Sequence, residues 1–257
     1  MKGLSLRICH LYPELMNIYG DRGNVITLVR RCAWRGIEVG VGTLSLGDPL
    51  DPELYDLYFI GGGQDREQIL VCEDLASEKG EALHHAVEDG AALLSICGGY
   101  QLLGKSFLTW TGEHLPGISL FDAETVGGDT RFIGNVAVRC DLKGTEGVLV
   151  GFENHSGRTR LGPGCQPLGR VITGHGNNGE DGTEGCVHRA AIGTYLHGSL
   201  LPKNPRLADW LLLHALRRRH DLEELPSLDD TLEQDAHRAA LHLVRREATW
   251  LGKFTMR

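Results

Sequence analysis

A cysteine stands where an apolar segment gives way to two glycines and a helical pattern. Cys97 follows the apolar run 91–96 and precedes the two glycines, after which residues 100–103 have helical spacing. A tight turn from strand to helix lifts the residue at the turn away from the sheet edge and presents it as a nucleophile. The helix N-terminus also favours the thiolate, which is the nucleophilic form of cysteine. The sequence therefore predicts that Cys97 forms a thioester with its substrate.

A cysteine nucleophile needs a base, and the chain has twelve histidines from which to choose. His197 follows the strand-like run 190–196, and His155 follows the strand-like run 146–152. Catalytic groups gather at the carboxyl ends of strands in open α/β sheets. We expect His197 to be the base, with His155 as the alternative.

Three consecutive glycines end another strand-like run, residues 54–60, and predict an oxyanion hole. Where side chains are absent, backbone N–H groups can approach a substrate oxygen. We expect the N–H groups of Gly63 and Gly98 to stabilise the oxyanion of a tetrahedral intermediate. A phosphate cradle is the alternative use of such glycines, although the chain has neither a G-x-G-x-x-G pattern nor a P-loop lysine motif.

The elements that position these residues alternate between strand and helix in the first half of the chain. Strands are expected at 4–8, 37–41, 54–60 and 91–96, and helices at 25–33, at 82–87 and from Tyr12-Pro13-Glu14 onward. This order predicts an α/β fold with an open, mostly parallel sheet flanked by helices. From about Phe132, strand-like runs separated by glycine turns are expected to fold back on the same sheet.

The C-terminal part of the chain has helical patterns. Asn204 is expected to cap a helix whose first residue is Pro205 and which runs to about residue 219. A last amphipathic helix is expected over 229–248. We divide the chain into one domain of residues 1–220 and a C-terminal helical extension, residues 221–257, packed on it.

Composition excludes several classes of protein. The chain has 26 Lys and Arg against 34 Asp and Glu, a net charge of −8, which argues against binding to nucleic-acid phosphates. Its seven cysteines are scattered and form no C-x-x-C, so neither a disulfide framework nor a metal site is expected. No apolar run has the length of a membrane span and no signal peptide is visible, so we expect a cytoplasmic protein.

Taken together, the motifs resemble those of the class I, or triad, glutamine amidotransferases. That family has a C-x-G-x-Q elbow, a glycine-rich oxyanion loop and a histidine after a late strand, matched here by 97–101, 60–65 and His197. The finer resemblance is to the CobB/CobQ-like branch. Within it, the chain is most similar to the glutaminase subunits of lipid II isoglutaminyl synthases, on segments 11–24, 59–65, 130–135 and 151–155.

The resemblance implies an activity and a partner. This chain would hydrolyse L-glutamine to glutamate and ammonia, and would hold no cofactor. The ammonia would pass to a MurT-like partner, related to Mur ligases, in a heterodimer. That partner would bind ATP and Mg²⁺ and amidate the D-glutamate of the lipid II stem peptide to D-isoglutamine for peptidoglycan synthesis.

The resemblance also implies the roles of further site residues. Arg131 would bind the α-carboxylate of glutamine, and Gln101 and Asn154 would contribute to substrate binding. Ser199 stands where the family usually has an acid two residues after the histidine. The partner of His197 therefore comes from elsewhere in this chain or from the partner subunit, or the enzyme works with two residues.

Three alternative functions stay open at this point. In the first alternative, the chain is a glutaminase subunit for another synthetase, such as one that amidates cobyric-acid-type compounds. In the second, it is an inactive amidotransferase-like scaffold, although both Cys97 and His197 are present. A cysteine hydrolase such as a peptidase is the third alternative, and it would not need Gln101 or Arg131.

Overall fold

A computed structural model describes residues 3–254 of the chain. Its strands are β1 (Ser5–Leu11), β2 (Glu38–Leu44), β3 (Leu57–Ile60), β4 (Ala92–Ile96), β5 (Ser106–Leu108), β6 (His114–Pro116), β7 (Ala123–Cys140), β8 (Gly147–Leu161), β9 (Gly169–Thr173), β10 (Thr183–Glu184), β11 (Cys186–His188) and β12 (Ala191–Thr194). Its α-helices are α1 (Arg22–Trp34), α2 (Asp65–Asp74), α3 (Gly80–Glu88), α4 (Gly98–Leu103), α5 (Pro205–Arg217) and α6 (Thr231–Phe254).

The first sheet has the strand order β11-β12-β4-β3-β1-β2. All neighbouring strands are parallel except β11 and β12, which confirms the predicted open, mostly parallel α/β sheet. Every side chain of β3, β4 and β12 is buried, as expected for central strands covered on both faces. Because β4 lies between β3 and β12, the segments that follow these three strands meet at one edge of the sheet.

The second sheet was not anticipated, because the β-rich half was expected to fold back on the first sheet. Only β11 and β12 do so, and the other strands form a separate sheet of order β10-β9-β7-β5-β6 with β8 paired to β7. Strands β7 and β8 make a long antiparallel hairpin, and residues 151–159 of β8 alternate between buried and partly buried positions. An antiparallel hairpin can leave one face in water, whereas a strand in the middle of the parallel sheet cannot.

One local prediction is wrong and another holds only in part. The helix expected from Tyr12 is a series of turns, in which Tyr12 has a φ of +51° and its hydroxyl donates to Asp74 Oδ2 at 2.5 Å. Asn204 is the N-cap residue of α5 and Pro205 is its first residue, as predicted, but the Asn204 side chain makes no capping hydrogen bond. Its Oδ1 accepts from the Val150 N–H at 3.0 Å and its Nδ2 donates to the Val150 carbonyl at 2.8 Å, so it joins α5 to β8 instead.

The C-terminal helix α6 contacts the body of the protein at several points. Asp230, just before α6, accepts from Arg31 Nη1 at 2.6 Å, and His237 Nδ1 lies 2.8 Å from the Lys203 carbonyl oxygen. Val244 is fully buried. The division at residue 220 stays a prediction, and residues 255–257 of the proposed extension lie outside the described residues. Within the described part of the chain, no helix is both long enough and apolar enough to cross a membrane.

Arg31 on α1 joins two parts of the C-terminal region through a single side chain. Its guanidinium is 1% exposed and donates to Asp209 on α5 at 2.6 and 2.7 Å as well as to Asp230. Arg35 also donates to Asp209, at 2.7 Å. Removal of Arg31 therefore leaves Asp230 without its cation while Asp209 keeps one.

We predict that Arg31→Met lowers the free energy of unfolding by about 2–4 kcal/mol, because it leaves a partly buried carboxylate unpaired. Urea unfolding measures this change. The control is Asp230→Asn, which removes only the contact before α6 and should cost about 1 kcal/mol. Equal losses in the two variants would contradict this prediction, because an unpaired Asp230 carboxylate would then cost no more than the loss of its contact with Arg31.

Candidate active site

The segments after β3 and β4 border a pocket of about 410 Å³, which residues of the β7–β8 hairpin also line. The predicted base His197 and Gly98 are not among its lining residues. Five of the predicted site residues line it, which are Gly63, Cys97, Gln101, Arg131 and Asn154. The other lining residues are Ile18, Gln64, Asp65, Arg66, Gln68, Phe107, His155 and Ser156. The structure thus gathers residues from both sheets at the predicted edge.

Cys97 occupies a strained turn between β4 and α4. Its φ of +49° and ψ of −103° are values that residues other than glycine rarely adopt. Backbone hydrogen bonds hold the turn on both sides, from the Cys97 N–H to the Thr194 carbonyl at 2.9 Å and from the Gln101 N–H to the Cys97 carbonyl at 2.9 Å. The strain is retained because it presents the sulfur at the pocket, as the sequence predicted.

The triple-glycine loop lies directly against the start of α4. A Cβ atom added at Gly98 would lie 2.9 Å from the Gly63 nitrogen, which is too close for any side chain. The Gly99 N–H donates to the Gly61 carbonyl at 3.1 Å and fixes the loop beside the elbow. The backbones of Gly63 and Gly98 therefore lie in close contact, and their role as an oxyanion hole stays a prediction.

A buried aspartate contacts the predicted base. His197 Nδ1 lies 3.4 Å from Asp21 Oδ1, and both side chains are fully buried. The second oxygen of Asp21 accepts from the Gly62 N–H at 2.8 Å. Ser199, which stands where the family has its acid, instead donates its hydroxyl to the Gly20 carbonyl at 2.7 Å. Of the alternatives left open by the sequence, the geometry supports an acid from this chain.

The surroundings of His197 favour its protonated form. Burial alone lowers the pKa of His197, but the negative charge of the Cys97 thiolate and the hydrogen bond with Asp21 outweigh it and raise the pKa to about 10. The imidazole therefore carries a proton at neutral pH, which it can give to a leaving group at Cys97.

The alternative base, His155, has the opposite character. It is buried, its Nδ1 lies 2.9 Å from the Gly157 carbonyl oxygen, and its ring stacks on Tyr195 at 3.6 Å between centroids. Burial lowers the pKa of His155 to about 3. A group that stays neutral at every pH above about 3 is a poor proton acceptor for catalysis near neutrality. These properties favour His197 as the base.

Arg131 reaches the pocket through an irregularity in β7. The register of the β7–β8 pair shifts between Gly127 and Phe132, so the residues between them leave the regular ladder. Such a bulge redirects side chains. Arg131 Nε donates to Asn154 Oδ1 and its Nη2 donates to the Asn154 carbonyl, both at 3.0 Å. The two predicted substrate ligands therefore support each other.

Gln101 is fixed from behind by a buried polar network. Its Nε2 donates to the Tyr195 hydroxyl at 3.2 Å, and that hydroxyl lies 2.6 Å from Thr159 Oγ1.

The sequence did not predict Asp21, Gln68 and Tyr195 as site residues. Asp21 lies in the polar segment after β1 that the resemblance had marked, and this was the one available signal for it. Within residues 3–254, no group of three or more His, Cys, Asp and Glu side chains is arranged to hold a metal ion.

Comparisons with known proteins identify the family of this chain. The family model of the CobB/CobQ-like glutamine amidotransferase domain matches residues 7–205. The subunit GatD of the glutamine-hydrolysing lipid II isoglutaminyl synthase of Staphylococcus aureus (strain N315) is 39% identical over 243 residues, covering 95% of this chain and 98% of the relative. The GatD subunit of Streptococcus pneumoniae (strain ATCC BAA-255 / R6) is 38% identical, covering 90% of this chain and 88% of the relative.

Solved structures share the fold at lower sequence identity. A chain of the PurLQS structure from Thermotoga maritima has a TM-score of 0.58 at 18% identity, covering 80% of this chain and 97% of its own. A glutamine amidotransferase from the same organism has a TM-score of 0.52 at 17% identity, covering 93% of this chain and 95% of its own. With the family model matching most of the sequence, this chain belongs to the CobB/CobQ-like glutamine amidotransferases.

Proposed function

We propose that this chain hydrolyses L-glutamine to glutamate and ammonia, and that it is the glutaminase subunit of a lipid II isoglutaminyl synthase. The observation that carries the first part is the strained Cys97 beside the buried pair of His197 and Asp21. The second part is supported by the two GatD relatives, which this chain matches over nearly their whole lengths. The cobyric acid synthases are weaker support for the alternative, because this chain covers 45% or less of their lengths.

The reaction begins at the thiolate. Cys97 Sγ attacks the carboxamide carbon of glutamine, and the N–H groups of Gly63 and Gly98 stabilise the oxyanion. His197 gives its proton to the leaving nitrogen, so the C–N bond breaks and ammonia departs from the thioester. His197 then takes a proton from water, whose oxygen attacks the thioester carbon and releases glutamate and the thiolate. Asp21 keeps the imidazole oriented throughout.

The substrate is positioned by the second sheet. The guanidinium of Arg131 suits a carboxylate because its N–H groups can form two parallel bonds. Asn154 orients that guanidinium, and Gln101 lies beside the elbow to contact the substrate chain. The α-carboxylate then lies at Arg131 and the carboxamide at Cys97.

The acceptor of the ammonia lies on a partner. The relatives are named as subunits, which implies a second chain. We propose a MurT-like ligase that binds ATP and Mg²⁺ and activates the D-glutamate carboxylate of lipid II, while this chain binds no cofactor. We place the reaction in the cytoplasm, because the partner consumes ATP.

We predict that Cys97→Ala lowers glutamine hydrolysis by about 10³-fold or more, because no thioester can form. The assay is ammonia release by the complex with the MurT-like partner. Lipid II amidation should also fail with glutamine but persist when an ammonium salt is supplied. Cys72→Ala, which removes a thiol outside the pocket, is the control and should retain activity. Persistent glutamine hydrolysis in Cys97→Ala would refute the proposed glutaminase mechanism. If the wild type hydrolyses glutamine but lipid II is not amidated, only the proposed ammonia acceptor is wrong.

We predict that the stability deficit of Asp21→Asn depends on pH. The pKa of His197 is raised from 6.5 to about 10, so its protonated form stabilises the fold fully below pH 6.5, and this contribution is lost as the pH rises towards 10. Asparagine still offers an oxygen to the Gly62 N–H but removes one of the charges that raise this pKa. Urea unfolding of variant and wild type should therefore show the largest difference near pH 6.5. A difference that stays constant up to pH 10 would contradict the assigned pair.

We predict that Arg131→Ala raises KM for glutamine by about 10- to 100-fold with a smaller change in kcat, because it removes a charge-assisted contact to the α-carboxylate. Steady-state ammonia release measures both constants. The matched control is Arg160→Ala on β8, since Arg160 contacts exposed Glu180 outside the pocket. An unchanged KM in Arg131→Ala would remove Arg131 from the substrate site.

A further inference from the structure

One wall of the pocket contains a buried acceptor that the proposed reaction leaves unused. His155 Nδ1 lies 2.9 Å from the Gly157 carbonyl oxygen. A carbonyl oxygen can only accept, so Nδ1 carries the hydrogen and Nε2 carries a lone pair. Nε2 is buried, and the residues that the structure describes offer it no hydrogen-bond donor. Since buried polar atoms nearly always have partners, this atom calls for a donor from a ligand.

The acceptor is held in one orientation and one charge state. The His155 ring stacks on Tyr195 with 8° between the ring planes, and Phe132 packs edge-on against it at 5.6 Å. Phe132 is also the cross-strand neighbour of His155 in the β7–β8 hairpin. Burial keeps the pKa of His155 near 3, so Nε2 stays unprotonated in any neutral solution. A neutral, fixed acceptor attracts a cationic donor, whereas a protonated histidine would repel it.

The position of His155 indicates which part of glutamine it meets. Phe132 is the cross-strand neighbour of His155. Arg131 directly precedes Phe132 in β7, and Asn154 directly precedes His155 in β8. Arg131, Asn154 and His155 line the pocket. With the α-carboxylate at Arg131, the nearest donor on the substrate is the α-ammonium group, which sits on the same carbon atom. The carboxamide lies at Cys97 in the proposed reaction.

A second unpartnered acceptor lies at the carboxamide side of the pocket. Gln68 Nε2 donates to the Gly63 carbonyl at 3.1 Å, which identifies the other amide atom as oxygen. That oxygen, Oε1, is buried and has no donor among residues 3–254. The pocket thus offers one acceptor near the oxyanion loop and another near Arg131, and glutamine has N–H groups at both of its ends.

We propose that His155 Nε2 accepts a hydrogen bond from the α-ammonium group of glutamine, and that this contact makes the site select an α-amino acid. The proposal rests on the glutaminase function proposed above. His155 is then a positioning and specificity-determining residue and takes no part in proton transfer.

The experiment compares two substrates in the complex with the ligase partner. One is L-glutamine, and the other is its deamino analogue, the monoamide of glutaric acid, which keeps the carboxylate and the carboxamide. His155→Phe retains a ring against Tyr195 but has no acceptor. We expect it to lower kcat/KM for glutamine by about 10- to 100-fold, mainly through KM, and to leave the deamino analogue nearly unchanged. The preference of the wild type for glutamine over the analogue should disappear.

Two further variants separate recognition from structural damage. His155→Gln places an amide oxygen near the position of Nε2 and should recover part of the preference for glutamine. Gln68→Met removes the acceptor near the oxyanion loop, so it should lower kcat/KM for both substrates by similar factors and keep their ratio. Alkylation of Cys97 by iodoacetamide, which has no α-amino group, should proceed in His155→Phe at the wild-type rate.

The outcomes distinguish the two proposals. The proposed contact with the α-ammonium group is wrong if His155→Phe lowers kcat/KM equally for both substrates. It is also wrong if His155→Gln shows no preference for glutamine while Cys97 is alkylated at the normal rate. If the wild type hydrolyses no glutamine, the proposed function fails instead. In that case, the rate at which a chloroketone made from glutamine labels Cys97 still tests recognition of the α-ammonium group. The wild type should be labelled faster by this chloroketone than by the deamino chloroketone, and only His155→Phe should lose the difference.

Discussion

The site depends on one buried carboxylate whose two oxygens serve different parts of the chain. Asp21 uses one oxygen for His197 and the other for the Gly62 N–H, so the base and the glycine loop share a single anchor. A buried carboxylate is stable only when such partners surround it. Two further contacts hold the same segments together, from the Ser199 hydroxyl to the Gly20 carbonyl and from the Leu201 N–H to Asn24 Oδ1. A change in any of these segments therefore changes the geometry of the others.

The two sheets divide the work of the site between them. The parallel sheet supplies the nucleophile, the base and the glycine loop from the ends of three neighbouring strands, whereas the β7–β8 hairpin supplies Arg131 and Asn154. The two are joined at the base itself, because His197 and Phe152 exchange backbone hydrogen bonds of 2.8 and 3.3 Å. The backbone of the proposed base is thus hydrogen-bonded to the hairpin that carries the proposed substrate ligands.

The sequence predicted those parts of the site that are encoded locally. Cys97 and His197 each follow a continuous buried strand, and a continuous apolar run is visible without knowledge of its neighbours. Asp21 was not predicted, because it lies 176 residues from His197 and its own surroundings are a polar turn. The second sheet was missed for a similar reason, since alternation identifies a strand but not the strand with which it pairs. Arg131 was predicted by resemblance alone, because no local sequence pattern predicts the bulge that directs its side chain.

The order of the strands along the chain gives the enzyme a built-in delay during its synthesis. Cys97 leaves the ribosome long before His197, since β12 pairs beside β4 only after the whole second sheet has been made. Until that late strand inserts, the thiol has no imidazole beside it. The pair of Cys97 and His197 is therefore completed only by the last strand of the parallel sheet.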